Sequence, residues 1–246
     1  MSSELSPKAK VMSEELKKMP IGEAIYSCLD VKLAKRLNMS SDVAEITKQI
    51  TRAVSKSNSK CYLFADSTAV QDREKIVERS IKWIKEGFML NGCKYVLKSP
   101  FKWSHPKGVS RNHQYKIQAW IMIDELLRAS LIDSKNKFLE TSRQVAIDWI
   151  DSFLFGEEVD EFSWYDMGAG QRASLLAYIT HKTLLDNSIS KKTLKKKNHN
   201  SSNEDILKLI IAADIHIHEL MSEDRLAIHS NHGLFQMAGL LALSSS

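Results

Sequence analysis

Apolar residues recur every three or four positions along most of the chain, the repeat that lines one side of an α-helix. Val11, Leu16 and Met19 among Lys and Glu predict a short helix over 5–18, ended by Pro20. Ile21, Ile25, Leu29, Leu33 and Leu37 are spaced by four and predict one or two short helices. Ser41 and Asp42 stand where an N-cap belongs, ahead of Val43, Ile46, Ile50 and Val54. A polar loop, 55–60, precedes Tyr62-Leu63-Phe64, which reads as an isolated extended piece. Val70, Ile76, Val77, Ile81, Ile84 and Phe88 predict a helix over 70–90, punctuated by Gly87 and Asn91-Gly92.

The second half is more regular. After an irregular stretch, 99–112, one helix is predicted over 113–131, with Ile117, Trp120, Ile121, Leu127 and Leu131 on one face and Asp124 in line with them. Further helices are predicted over 137–154, 165–186 and 204–221, and a last one starts near Gly233. An acidic linker, 156–163, and a basic Asn- and Ser-rich loop, 187–203, lie between them. No strand signal interrupts this half, so the fold class is all-α, built of antiparallel helical hairpins. The spacing departs from a strict heptad, which argues against a two-stranded coiled coil. Periodicity leaves an α/α toroid and a simple bundle equally open.

Composition narrows the function classes. The scarcity of Gly (9) and Pro (4) in 246 residues disfavours an all-β fold, which needs many turns. The net charge of +5 equals the contribution of Lys191, Lys192, Lys195, Lys196 and Lys197. That run reads as a solvated loop, and no helix-turn-helix or zinc signature supports nucleic-acid binding. Cys28, Cys61 and Cys93 form no CxxC pair. His216 and His218 point to opposite sides of one helix, and His229 and His232 have no Cys or carboxylate close in sequence, so no metal is expected. Gly168-Ala169-Gly170 lies in a helical pattern without a preceding strand, so no nucleotide cofactor is expected. No stretch approaches the roughly 20 apolar residues that span a bilayer, and the N-terminus has no apolar signal core. The expected location is cytoplasmic, or periplasmic if the N-terminus is atypical.

Two segments concentrate chemistry. Phe162 to Ala173 crowds Trp164, Tyr165, Asp166, Gln171 and Arg172 at a helix start. Aromatic faces suit sugar rings and a guanidinium suits a sugar carboxylate or sulfate. A packed helix N-terminus, with Asp166 complementing the dipole, explains the same residues. Asn231-His232-Gly233 offers an amide and an imidazole ahead of an apolar helix. An N-capping Asn followed by a tolerated His explains it as well.

Taken together, Trp164-Tyr165-Asp166-Met167 with Arg172, and Asn231-His232-Gly233 with Gln236 and Gly239, resemble the α/α-toroid domain of the heparinase II/III-like polysaccharide lyases. Arg111 to Trp120 and Leu126-Leu127-Arg128-Ala129 fit the same domain. The resemblance covers about residues 80–246. It divides the chain into an N-terminal helical extension, 1–60, and a partial toroid, 61–246. It implies β-elimination on uronic-acid polysaccharides of heparin, heparan or alginate type. Asn231 and His232 then match the catalytic pair, and Trp164, Tyr165, Arg172 and Gln236 are substrate-binding candidates.

In that family a catalytic Tyr follows on a later helix and a His comes from a β-sandwich domain. The resemblance therefore implies a site completed by a further domain or a second chain, and incomplete catalysis by this chain alone. The expected partner is an acidic polysaccharide, with no membrane. The rival expectation is a non-catalytic helical carbohydrate-binding or assembly module.

Overall fold

The computed structural model describes residues 4–28, 42–56, 72–133, 137–190, 202–227 and 230–245. Helices dominate them: α1 (Pro7–Leu16), α2 (Ile21–Cys28), α3 (Val43–Lys56), α4 (Arg73–Glu86), α5 (Arg111–Gln118), α6 (Ile121–Ile132), α7 (Lys137–Phe153), α8 (Asp166–Ser190), α9 (Asn203–Leu220) and α10 (Asn231–Ser245). Among the described residues the chain is all-α apart from one short hairpin, β1 (Phe88–Leu90) and β2 (Cys93–Tyr95). Residues 29–41 and 57–71, with Tyr62-Leu63-Phe64, lie outside the described residues, as do His229 and the lysine run at 191–197.

Local chemistry sets several of the helix starts. Asp42 Oδ1 accepts from Glu45 N at 2.9 Å, Ser110 Oγ from His113 N at 3.2 Å and Ser202 Oγ from Asp205 N at 3.0 Å. Each cap satisfies a donor that the first turn leaves open, worth about 1 kcal/mol.

Two expectations change. Asn91-Gly92 is the turn of a hairpin rather than the end of a helix. Phe88 pairs with Tyr95, Met89 with Lys94 and Leu90 with Cys93, and Asn91 (φ 48°) and Gly92 (φ 80°) supply the positive φ angles such a two-residue turn needs. The helix expected over 113–131 is two helices. Trp120 adopts φ 61° and breaks it, and its fully buried ring packs edge-to-face on Trp149 at 5.7 Å. The break resets the helical phase, so Ile121 and Leu131 are exposed while Met122, Ile123 and Leu126 are buried.

The described part of 1–60 belongs to the common core: Leu16, Ala24, Ile25 and Ile46 join the same hydrophobic cluster as Trp149 and Leu176. α1 and α2 pack on α9, and α3 packs on α8 and α9.

Contacts fix the helix directions. On α5 and α8, Tyr115 meets Gly168 and Gln171, and Gln118 meets Arg172. On α8 and α10, Asp166 meets His232, Gly170 meets Phe235 and Gln236, and Ala173 meets Gly239. Residue numbers rise together in both sets, so α5, α8 and α10 run parallel and begin at the same end of the molecule. Arg172, early in α8, meets His216, late in α9.

The α8–α10 contact is made by bare backbone. A Cβ on Gly170 would sit 2.5 Å from Phe235 C, and one on Gly239 would sit 2.4 Å from Gly170 O. Any side chain there must push the helices apart. Gly170→Ala is therefore expected to destabilise by about 1–3 kcal/mol, against the roughly 1 kcal/mol that alanine gains in a free helix. Its melting temperature should fall by about 2–4 °C per kcal/mol; an unchanged or raised value in a calorimetric scan would contradict this contact.

Candidate functional site

Three parallel helices bring their N-terminal turns to one region. α5 contributes Arg111, Asn112 and Tyr115, the entry to α8 contributes Glu161, Phe162, Tyr165 and Met167, and these residues line an open cleft of about 560 Å³. α10 contributes His232 beside it. The positive ends of three helices converge here, a setting that favours negative charge, and Asp166 already occupies part of it by accepting from Met167 N.

Tyr165 is the common member. Its ring packs on Tyr115, Phe162 and His232, each with centroids 5.7 Å apart. His232 Nδ1 lies 3.1 Å and 3.2 Å from the two carboxylate oxygens of Asp166. Asp166 Oδ1 also accepts from Met167 N at 2.6 Å, so α8 itself holds the carboxylate. With its proton on Nδ1 facing Asp166, the His232 ring keeps the Nε2 lone pair for other work. Burial and the neighbouring Asp166 charge raise the Tyr165 pKa, partly offset by the Arg111 charge. Tyr115 donates to Gln171 Oε1 at 2.8 Å, and burial pushes its pKa up to about 12. Both phenols are protonated at neutral pH.

The sequence candidates divide. Tyr165 and His232 meet, and Asn231 is exposed at the start of α10. Arg172, Trp164 and Gln236 are not placed to bind a ligand in the cleft. Gln236 is buried; it donates to Arg225 O at 2.8 Å and accepts from Ala227 N at 2.9 Å, which straps the segment leading to α10. Arg172 is fully buried and donates to His216 Nε2 at 3.0 Å, Gln118 O at 2.8 Å and Ser163 O at 2.6 Å. Its guanidinium lies 4.0 Å from the Trp149 ring centre and 5.1 Å from that of Trp164. Apolar neighbours and helical spacing gave no warning of this, because a basic residue on a helix is usually exposed.

Arg111, Tyr115 and Asp166 were not among the candidates. Asp166 was visible as a helix-start acid, but its partner lies 66 residues away. The aromatic loop at 99–110 is core-facing. Asp148 accepts from Ser99 Oγ at 2.9 Å, Phe101 N at 2.9 Å and Trp103 Nε1 at 3.0 Å, and this anchors the approach to α5.

Burial and the Arg172 charge hold the His216 pKa well below its usual value. His216 Nδ1 donates to Ala212 O at 2.7 Å, so the neutral ring presents Nε2 to Arg172 as an acceptor. In the unfolded chain the same ring titrates near pH 6.5. Below that pH the unfolded state takes up a proton that the folded state refuses. Stability present above pH 6.5 is therefore lost on acidification, by at most about 1.4 kcal/mol per pH unit from this group. Melting curves between pH 7 and 5 should have a shallower acid slope in His216→Gln than in the native chain. Equal slopes would remove His216 as a source of the acid sensitivity.

No protein-family model, no curated protein and no solved structure matches this chain.

Proposed function

We propose that this chain is the helical, toroid-type part of a lyase that cleaves uronic-acid-containing polysaccharides by β-elimination. The observation that carries the reading is the Asp166–His232 pair beside Tyr165, at the cleft where three parallel helices begin. The parallel packing of α5, α8 and α10, with α9 separating α8 from α10 in the chain, supports the toroid-type arrangement of hairpins.

The chemistry to be served is removal of the proton at C5, which lies α to a carboxylate. Abstraction adds negative charge beside an existing one, so that carboxylate must be neutralised first. The converging helix N-termini and the Asn231 amide are suited to this. His232 Nε2 takes the C5 proton, and Asp166 balances the imidazolium that forms. The C4–O bond breaks as the C4=C5 double bond forms, and the leaving oxygen takes its proton from a phenol. The packing of Tyr165 on His232 suits it to that role, and its raised pKa keeps it protonated. The resemblance assigns this step to a tyrosine on a later helix; here α8 supplies one at its own start.

The test is to incubate the protein with polygalacturonate, alginate and heparan sulfate and to follow the ultraviolet absorbance of the unsaturated uronate product. His232→Ala should lower kcat by about 10²–10⁴-fold. Asp166→Asn offers Nδ1 a donor as well as an acceptor and so loosens the tautomer; it should lower kcat with little effect on KM. No product on any of the three polymers at high protein concentration would sink the lyase reading. Binding without product would leave a carbohydrate-binding module.

A further inference from the structure

We infer that Arg111 is the specificity-determining residue of the cleft, reading the carboxylate or sulfate of a sugar next to the one that reacts, and that Glu161 is the counter-ion this group displaces. The inference rests on the proposed lyase reading for its substrate class, but its geometry is independent of the chemistry at His232.

Arg111 stands at the mouth of the cleft with an 80% exposed side chain, and its guanidinium lies 5.3 Å from the Phe162 ring centre. Its one ionic neighbour among the described residues is Glu161, 3.6 Å from Nε and itself 56% exposed. That separation is too long for a hydrogen bond, and so exposed a pair is worth little in water. The donor fork of Arg111 is therefore held in place by an aromatic face and a weak ion pair, and remains open to a planar acid. Bidentate recognition of a carboxylate or sulfate needs that fork.

The rest of the wall suits the sugar that carries the acid. Tyr165 and Tyr115 supply ring faces, Phe162 underlies the Arg111 guanidinium, and Asn112 supplies an amide for hydroxyls. Arg111 is also near enough to Tyr165 for its charge to oppose the rise of the Tyr165 pKa. The acid reader and the proposed proton donor therefore share one cavity. The buried Arg172, which sequence marked for this task, cannot perform it.

Calorimetric titration tests this, with a galacturonate oligosaccharide as probe and its carboxyl-reduced counterpart as the neutral control. His232→Ala serves as the background, so that nothing is cleaved. The acidic oligosaccharide should bind at least about tenfold tighter than the reduced one, the value of a charge-assisted pair. Arg111→Ala should abolish that difference. Arg111→Lys should fail to restore it, and Glu161→Gln should tighten acidic binding several-fold. Melting curves of the variants confirm folding, which so exposed a side chain should not affect.

Equal binding of the two oligosaccharides, no binding of the acidic one, or native binding in Arg111→Ala would each overturn the assignment. Arg111-dependent binding by a native chain that yields no unsaturated product would leave the acid site standing and remove the lyase. Product formation with kcat/KM unchanged in Arg111→Ala would do the reverse.

Discussion

The enclosure of Arg172 is the interaction on which most of the structure depends. A guanidinium is among the costliest groups to bury, and this one meets neutral acceptors from three segments: Gln118, Ser163 and His216. Trp149 and Trp164 cover its faces. Desolvation lowers its pKa to about 9, which still leaves it charged at neutral pH. A buried charge without its partners costs several kcal/mol, so α5, the entry to α8, and α9 must all be in place together. The Gln118 side chain extends the set by accepting from Trp149 Nε1 at 2.8 Å. The charge fixes the mutual positions of the elements that build the cleft while standing outside it.

The cleft follows from that arrangement. Arg172 ties α5 to α8 through Gln118 O, and the same two helices present Arg111, Tyr115 and Tyr165 one to two turns earlier. Gln236 straps the segment that leads into α10, and α10 delivers His232 to Asp166. Residues that sequence marked as ligand contacts thus serve the site indirectly, by fixing the helices that carry it.

Much of the fold was legible because helix content is written in local spacing. The ranges of α7, α9 and α10 lie close to those the apolar repeat predicts. What failed depended on distant parts. Trp120 breaks a helix whose repeat runs on regardless, because burial against Trp149 stabilises a left-handed residue that local preference disfavours. The Phe88–Tyr95 hairpin was announced by Asn91-Gly92, but its strands are only three residues long and alternate too briefly to stand out. At the site, Tyr165 and His232 could be marked by type. Their meeting could not, nor could the burial of Arg172 and the exposure of Arg111, since both are arginines near helix starts and only packing tells the buried from the exposed.

The bare-backbone contact of Gly170 with Phe235 and Gln236 lies one turn along α8 from Asp166, and one turn along α10 from His232. It acts as a datum surface in the engineer's sense. Two parts machined against each other without a spacer hold their tolerance better than parts separated by something compressible. Side chains change rotamer and absorb error; touching backbones do not. The separation of acid and imidazole is thus gauged from a point at which neither helix can shift without the other.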